Sequence, residues 1–152
     1  TVRSYSDETR GRLLGGIERI ARGEAMAAGV PEDRMPIMAV EQDYTPATYN
    51  TPQFSDHVAG VLRAHFGADR VGQVPSVMGG EDFGQYHRAD NSIESMIFWV
   101  GGVDPDKVAA AQRGEISLPS LHSPLWAPDP HAVIGTAAKA LTVAALDIFG
   151  KS

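Results

Sequence analysis

Residues 95–100, Ser-Met-Ile-Phe-Trp-Val, constrain the fold more than any other stretch of this chain. They are apolar almost throughout and end at Gly101-Gly102. A run of that length and character reads as a strand buried on both faces, which needs helices on either side of its sheet. Helical patterns with matching apolar faces do surround it. Ser6 is a good N-cap, Asp7 and Glu8 suit the first turn, and Leu13, Ile17, Ile20 and Ala21 then share one face to about Ala28, with a stop at Gly29. Thr51 as N-cap and Pro52 at the first helical position open a second helix, with Phe54, Val58, Val61, Leu62 and Phe66 inward and Gly67 as its end. Asp129 and Pro130 start a last helix, with Ile134, Ala138, Leu141, Ala145 and Ile148 on one face.

Between these helices, residues 1–5, 35–43 and 71–77 have the alternation or apolar content of strands. Residues 104–113 suit a short surface helix, and residues 118–128 a loop with three prolines. Strands alternating with amphipathic helices predict an α/β or α+β class. The Tyr-Thr-Pro-Ala-Thr-Tyr-Asn-Thr-Pro stretch at 44–52 looks like a connector between two units.

Composition narrows the function. The 152 residues contain no cysteine, which excludes a disulfide framework and any thiolate ligand or nucleophile within this stretch. A net charge of −6 with 13 scattered basic residues argues against nucleic acid as a partner. No apolar run approaches the ~20 residues of a membrane span, and the first residues lack a signal-peptide layout. Gly-x-Ser-x-Gly, Gly-x-Gly-x-x-Gly and Walker patterns are all absent.

Two places could carry chemistry. His122, in Leu121-His122-Ser123-Pro124, lies in a loop between the apolar run and the last helix, where α/β folds place ligand groups and where imidazole can hold a metal. A single loop histidine also commonly does no more than bond nearby backbone. Gly79-Gly80-Glu81-Asp82 combines glycines that permit close backbone approach with carboxylates that can orient water or a metal-bound imidazole. The same four residues equally suit a helix N-terminus with its acidic caps. His57 and His65 are eight apart on one helix, not the four of a helix-borne zinc pair. His87 and His131 read as structural or solvated. A zinc centre needs at least three protein ligands, so others would have to come from elsewhere.

Taken in order, Thr1-Val2-Arg3-Ser4-Tyr5, Tyr44-Thr45-Pro46-Ala47-Thr48-Tyr49-Asn50, Met78-Gly79-Gly80-Glu81-Asp82-Phe83, Leu121-His122-Ser123-Pro124, a Pro-Asp-Pro and an alanine-rich last helix resemble one family. It is the amidohydrolase branch of the di-metal aminoacylase and carboxypeptidase group, peptidase family M-twenty. The Met-Gly-Gly-Glu-Asp-Phe and Leu-His-Ser-Pro pair is the specific part.

The resemblance implies that residues 1–46 are the last strand-helix-strand of a ferredoxin-like lid, or dimerisation, domain. Residues 47–152 would be the C-terminal part of a zinc-peptidase-like α/β catalytic domain. It implies His122 as a metal ligand, Gly79, Gly80, Glu81 and Asp82 as an active-site loop, and Asn50 as a candidate on the substrate side. Two divalent ions (zinc, manganese or cobalt) would activate water to cleave N-acyl amino acids or small peptides. The general base, the remaining ligands and a metal-binding cysteine would lie in an N-terminal half, so no catalytic residue is expected within this stretch and the chain alone is expected to be inactive. A bacterial-type cytoplasmic setting, a homodimer through the lid, and self-association or element swapping by the isolated chain complete the expectation. The alternative is a non-catalytic dimerisation or interaction module that keeps the family scaffold. An upstream reading frame of about 200–250 residues carrying ligand motifs, of the size of one further domain or more, separates the two.

Overall fold

The structure, a computed structural model, describes residues 1–41 and 43–150. It divides into two compact units, one of Thr1–Phe54 with Gln73–Met96 and one of Ser55–Gly72 with Ile97–Ser152. Among the described residues all regular structure is helical. The expected α/β class is therefore wrong, both for the ferredoxin-like strand-helix-strand and for the peptidase-like sheet.

The reason lies in where the backbone groups of the would-be strands find partners. Residues 1–5 do lie beside residues 76–78, but side chains make the connection. The Arg3 guanidinium donates to the Met78 carbonyl, and the Tyr5 hydroxyl donates to the Ser76 carbonyl at 3.2 Å. A ladder needs backbone N–H groups in register, and here side chains take those acceptors. Residues 95–100 keep a period of two, although no strand is assigned to them among the described residues. Met96, Phe98 and Val100 are half-buried, whereas Ile97 is 42% and Trp99 63% exposed. A run expected to be covered on two faces is covered on one. Its first residue, Ser95, is held by Thr51. The Thr51 N–H donates to the Ser95 carbonyl at 2.9 Å, and the Ser95 N–H donates to Thr51 Oγ1 at 3.1 Å. That hydroxyl, expected as a helix cap, is thus engaged across the chain. Among the described residues no strand is assigned over the expected 35–43 either, and its Gln42 lies outside them.

The helices follow their sequence signals closely. In the first unit α1 spans Asp7–Ala27. Ser6 accepts the Thr9 N–H at 3.1 Å, and Asp7 and Glu8 face the positive end of the helix dipole. It closes in a Schellman turn, with Gly29 N–H on Met26 O and Val30 N–H on Ala25 O. Gly29 has φ 71°, a left-handed conformation that side chains resist. Its apolar face stays open, however, with Ile20 66% exposed. A single 3-10 turn, Glu32–Arg34, follows, with Glu32 paired to Arg22.

α2, Pro52–Phe66, runs from the first unit into the second, where Val58 and Leu62 are buried as the periodicity predicts. α3 is the short Gln85–Ala89. α4, Pro105–Gln112, is capped by Asp104, and α5, Pro130–Ile148, by Asp129, whose Oδ1 accepts from the His131 and Ala132 N–H groups.

α5 departs from its expected orientation. Ala140 and Ala144 are buried, while Ile134 (66% exposed), Leu141 and Ile148 face outward. The inward face is thus lined by methyl groups, which lets the backbone sit close to its cover. The large apolar residues lie on the other side. By length and composition alone α5, with 19 residues and a mean hydropathy of 1.3, could cross a membrane. Lys139 and Asp147 break up its apolar run, so the sequence shows no continuous span. The second unit is pinned elsewhere by side chains. His57 on α2 pairs with Asp147 on α5 at 2.5 Å. The Trp126 ring lies over Gly102 so tightly that a Cβ there would meet it at 3.0 Å.

Candidate functional site

The candidate site lies in the first unit, where the proline-threonine connector meets the acidic turn. Asp82–Gly84 form one 3-10 turn that leads directly into α3. Glu81 precedes the turn in extended backbone, and its side chain accepts the Phe83 N–H at 3.2 Å. The structure therefore gives the Glu81 carboxylate the capping role that the sequence left open. The Thr48 hydroxyl donates to the Glu81 carbonyl at 3.2 Å, and Thr45 Oγ1 donates to Asp82 Oδ1 at 3.3 Å. Gly84 closes the contact. Its α-carbon approaches so near that a Cβ would lie 3.0 Å from Thr48 Cα and 3.1 Å from the Ala47 carbonyl oxygen. Gly84 is buried, as is Pro46 opposite.

Beside this seam opens a cavity of about 410 Å³. Asp43, Tyr44, Thr45 and Pro46 form one side, and Asp82, Gln85 and Arg88 the other. Its charged groups are set by the start of α1. Arg88 Nη1 donates to Asp7 Oδ2 at 2.6 Å, and the Tyr44 hydroxyl donates to Asp7 Oδ1 at 3.1 Å. Arg10 stacks on the Tyr44 ring with its guanidinium carbon 3.7 Å from the centroid. The hydrogen bond from Arg88 holds the Asp7 carboxyl below the usual carboxylate range, against some desolvation and with help from Tyr44. Asp7 in turn raises Arg88.

A pH dependence follows. Because the folded value for Asp7 lies below the unfolded one, its stabilising contribution is complete above the ordinary carboxylate value of about 3.9 and is lost as pH falls through the lowered folded value. With half of the Asp7 side chain exposed, the effect is small. Urea midpoints followed from pH 5 to pH 2, the span of carboxylate titration, should fall less steeply for Asp7→Asn than for the native chain. Parallel curves would refute the pairing.

The residues expected from the sequence are distributed as follows. Gly79 and Gly80 precede the turn in exposed chain, and a Cβ on either would meet nothing closer than 3.8 Å. Asp82 faces the cavity. Asn50 is exposed at the end of the connector, two residues before α2. His122 sits exposed in a turn of the second unit, where the Ser123 N–H bonds the Ser120 carbonyl. Among the described residues no three His, Asp or Glu side chains converge on a point that could hold a metal. Of the other histidines, His87 Nδ1 donates to the Ile93 carbonyl at 2.8 Å, a structural role, and His57 pairs with Asp147.

Asp7, Asp43, Gln85 and Arg88 were not singled out by sequence reasoning. Asp7 and Asp43 are 36 residues apart and both lie far in sequence from Gln85 and Arg88, which sit three apart on α3, so no spacing rule joins the four. The comparisons add no constraint: no family model matches the chain, and neither a curated protein nor a solved structure does.

Proposed function

We propose that the chain is the C-terminal portion of a metal-dependent amidohydrolase acting on N-acyl amino acids or small peptides. In that reading the turn at 79–84 and the connector at 44–50, both in the first unit, wall the substrate, and His122, in the second unit, is separately the residue that the resemblance implies as a ligand to one of two divalent ions. The observation that carries the reading is the junction of two of the motif segments, Tyr44–Asn50 and Met78–Phe83. Although far apart in sequence, they meet through Thr45, Thr48, Asp82 and Gly84 beside a polar cavity. A substrate with an amide and a carboxylate needs such a wall of fixed donors and acceptors.

The ions, when bound, would supply an activated water and polarise the amide carbonyl. His122 would hold one of them through an imidazole nitrogen. It is exposed in a short turn. Thr45 and Thr48 would keep the acidic turn in place, and Arg88 would carry positive charge at the wall.

The test is the parent protein with and without His122→Ala. Metal-loaded parent should release glycine from N-benzoylglycine, and the variant should lose roughly a hundredfold or more in kcat/KM together with metal occupancy. The 152-residue chain alone should bind zinc weakly and without fixed stoichiometry. Tight binding of one or two ions by the chain alone, or a parent that leaves the amide intact, would sink the reading.

A further inference from the structure

We propose that the cavity between residues 43–46 and 82–88 binds a small zwitterion, a free α-amino acid, with its carboxylate on Arg88 and its ammonium between Asp43 and Asp82. The assignment comes from the pattern of charge. One guanidinium, of Arg88, and two carboxylates, of Asp43 and Asp82, border the same space of about 410 Å³, ample for an amino acid.

Arg88 is held for this role rather than spent. Asp7 engages only its Nη1, so the planar fork keeps further N–H groups for a second carboxylate. Tyr44, on the same carboxylate, fixes Asp7 from the other side, and Arg10 over the Tyr44 ring fixes the tyrosine. The guanidinium therefore meets a ligand in a preset orientation, which reduces the ordering cost of binding.

The acidic side is equally prepared. Asp82 accepts from Thr45 through Oδ1, leaving Oδ2, and Asp43 makes no hydrogen bond among the described residues. A purely anionic ligand would meet two carboxylates, and a purely cationic one would meet Arg88. A molecule bearing both charges satisfies all three side chains. Gln85 and Thr45 add neutral groups that can donate or accept beside it.

The experiment titrates the isotopically labelled 152-residue chain by NMR with three probes: L-alanine, N-acetyl-L-alanine and L-alaninamide. L-alanine should shift resonances of Asp43, Thr45 and Arg88 saturably, with a Kd of about 1 mM, as expected for a few exposed charged contacts. The acetyl compound lacks the ammonium and the amide lacks the carboxylate, so each should bind at least about tenfold more weakly. Asp43→Asn should weaken L-alanine and, by removing a repelling carboxylate, should not weaken N-acetyl-L-alanine. Arg88→Gln should weaken L-alanine, and its unchanged far-ultraviolet circular dichroism would show that the fold survives. Saturation equal for L-alanine and its acetyl derivative, no saturation by L-alanine in the millimolar range, or indifference to Asp43→Asn would overturn the proposal. The proposal rests on that reading, since the cavity is the one it gives to the substrate and the free amino acid would be the product there; because no metal and no parent protein are needed, failure here and failure of the hydrolysis test are told apart.

Discussion

Leu62→Ala should cost the second unit about 2–5 kcal/mol, the usual penalty for emptying a buried leucine site. Among the described residues Leu62 is one of four buried hydrophobic residues, with Val58, Ala140 and Ala144, and it is the largest of them. A small domain has only about 5–15 kcal/mol of stability in total, so the loss is a large share, and the urea midpoint seen by circular dichroism should drop steeply. The same measurement tests which way α5 faces. Leu141→Ala, on the outward side, should change stability by no more than about 0.5 kcal/mol. Ala140→Leu, on the inward side, should cost about 1–3 kcal/mol by overpacking. The reverse order, with Leu141→Ala the costly change, would restore the face predicted from periodicity.

Gly84→Val should have the second largest effect, centred on the candidate site. The glycine has φ −59°, an ordinary helical value, so its need is spatial rather than conformational. A Cβ would meet backbone on two sides, at Thr48 Cα and Ala47 O, and neither can rotate away. Relief requires the turn to withdraw from the connector, at about 1–3 kcal/mol. Withdrawal would also break the Thr45–Asp82 and Thr48–Glu81 bonds and open the cavity. L-alanine binding should be lost while the second unit keeps its stability. Retained binding in Gly84→Val would mean that the seam does not shape the cavity.

These two residues also mark what the sequence discloses. Local signals were legible. Ser6 and Asp129 cap helices as their types suggest, Gly29 ends α1, and the Val58–Leu62 spacing identifies the inward side of α2. Each is decided within about two turns of chain. The strands were not legible as absences. Alternation at 95–100 survives as alternating exposure, but alternation cannot say whether a partner strand is present. Here Ser95 bonds Thr51, and residues 76–78 bond the Arg3 and Tyr5 side chains. The α5 face was misread because periodicity weights large side chains, whereas close approach selected alanines. Of the candidate site, the acidic turn was visible from Gly79-Gly80-Glu81-Asp82. The Asp7–Arg88 pair spans 81 positions and carries no local trace.

The division into two units has an optical consequence. Both tryptophans, Trp99 and Trp126, belong to the second unit, and all four tyrosines, Tyr5, Tyr44, Tyr49 and Tyr86, belong to the first. Selective excitation of indole therefore observes one unit, and the second-derivative phenol band, resolved from the overlapping indole absorption, reports the other, in an unlabelled chain. Each unit brings its own chromophore, and whether the two melt together or in sequence can be read from a single unmodified sample.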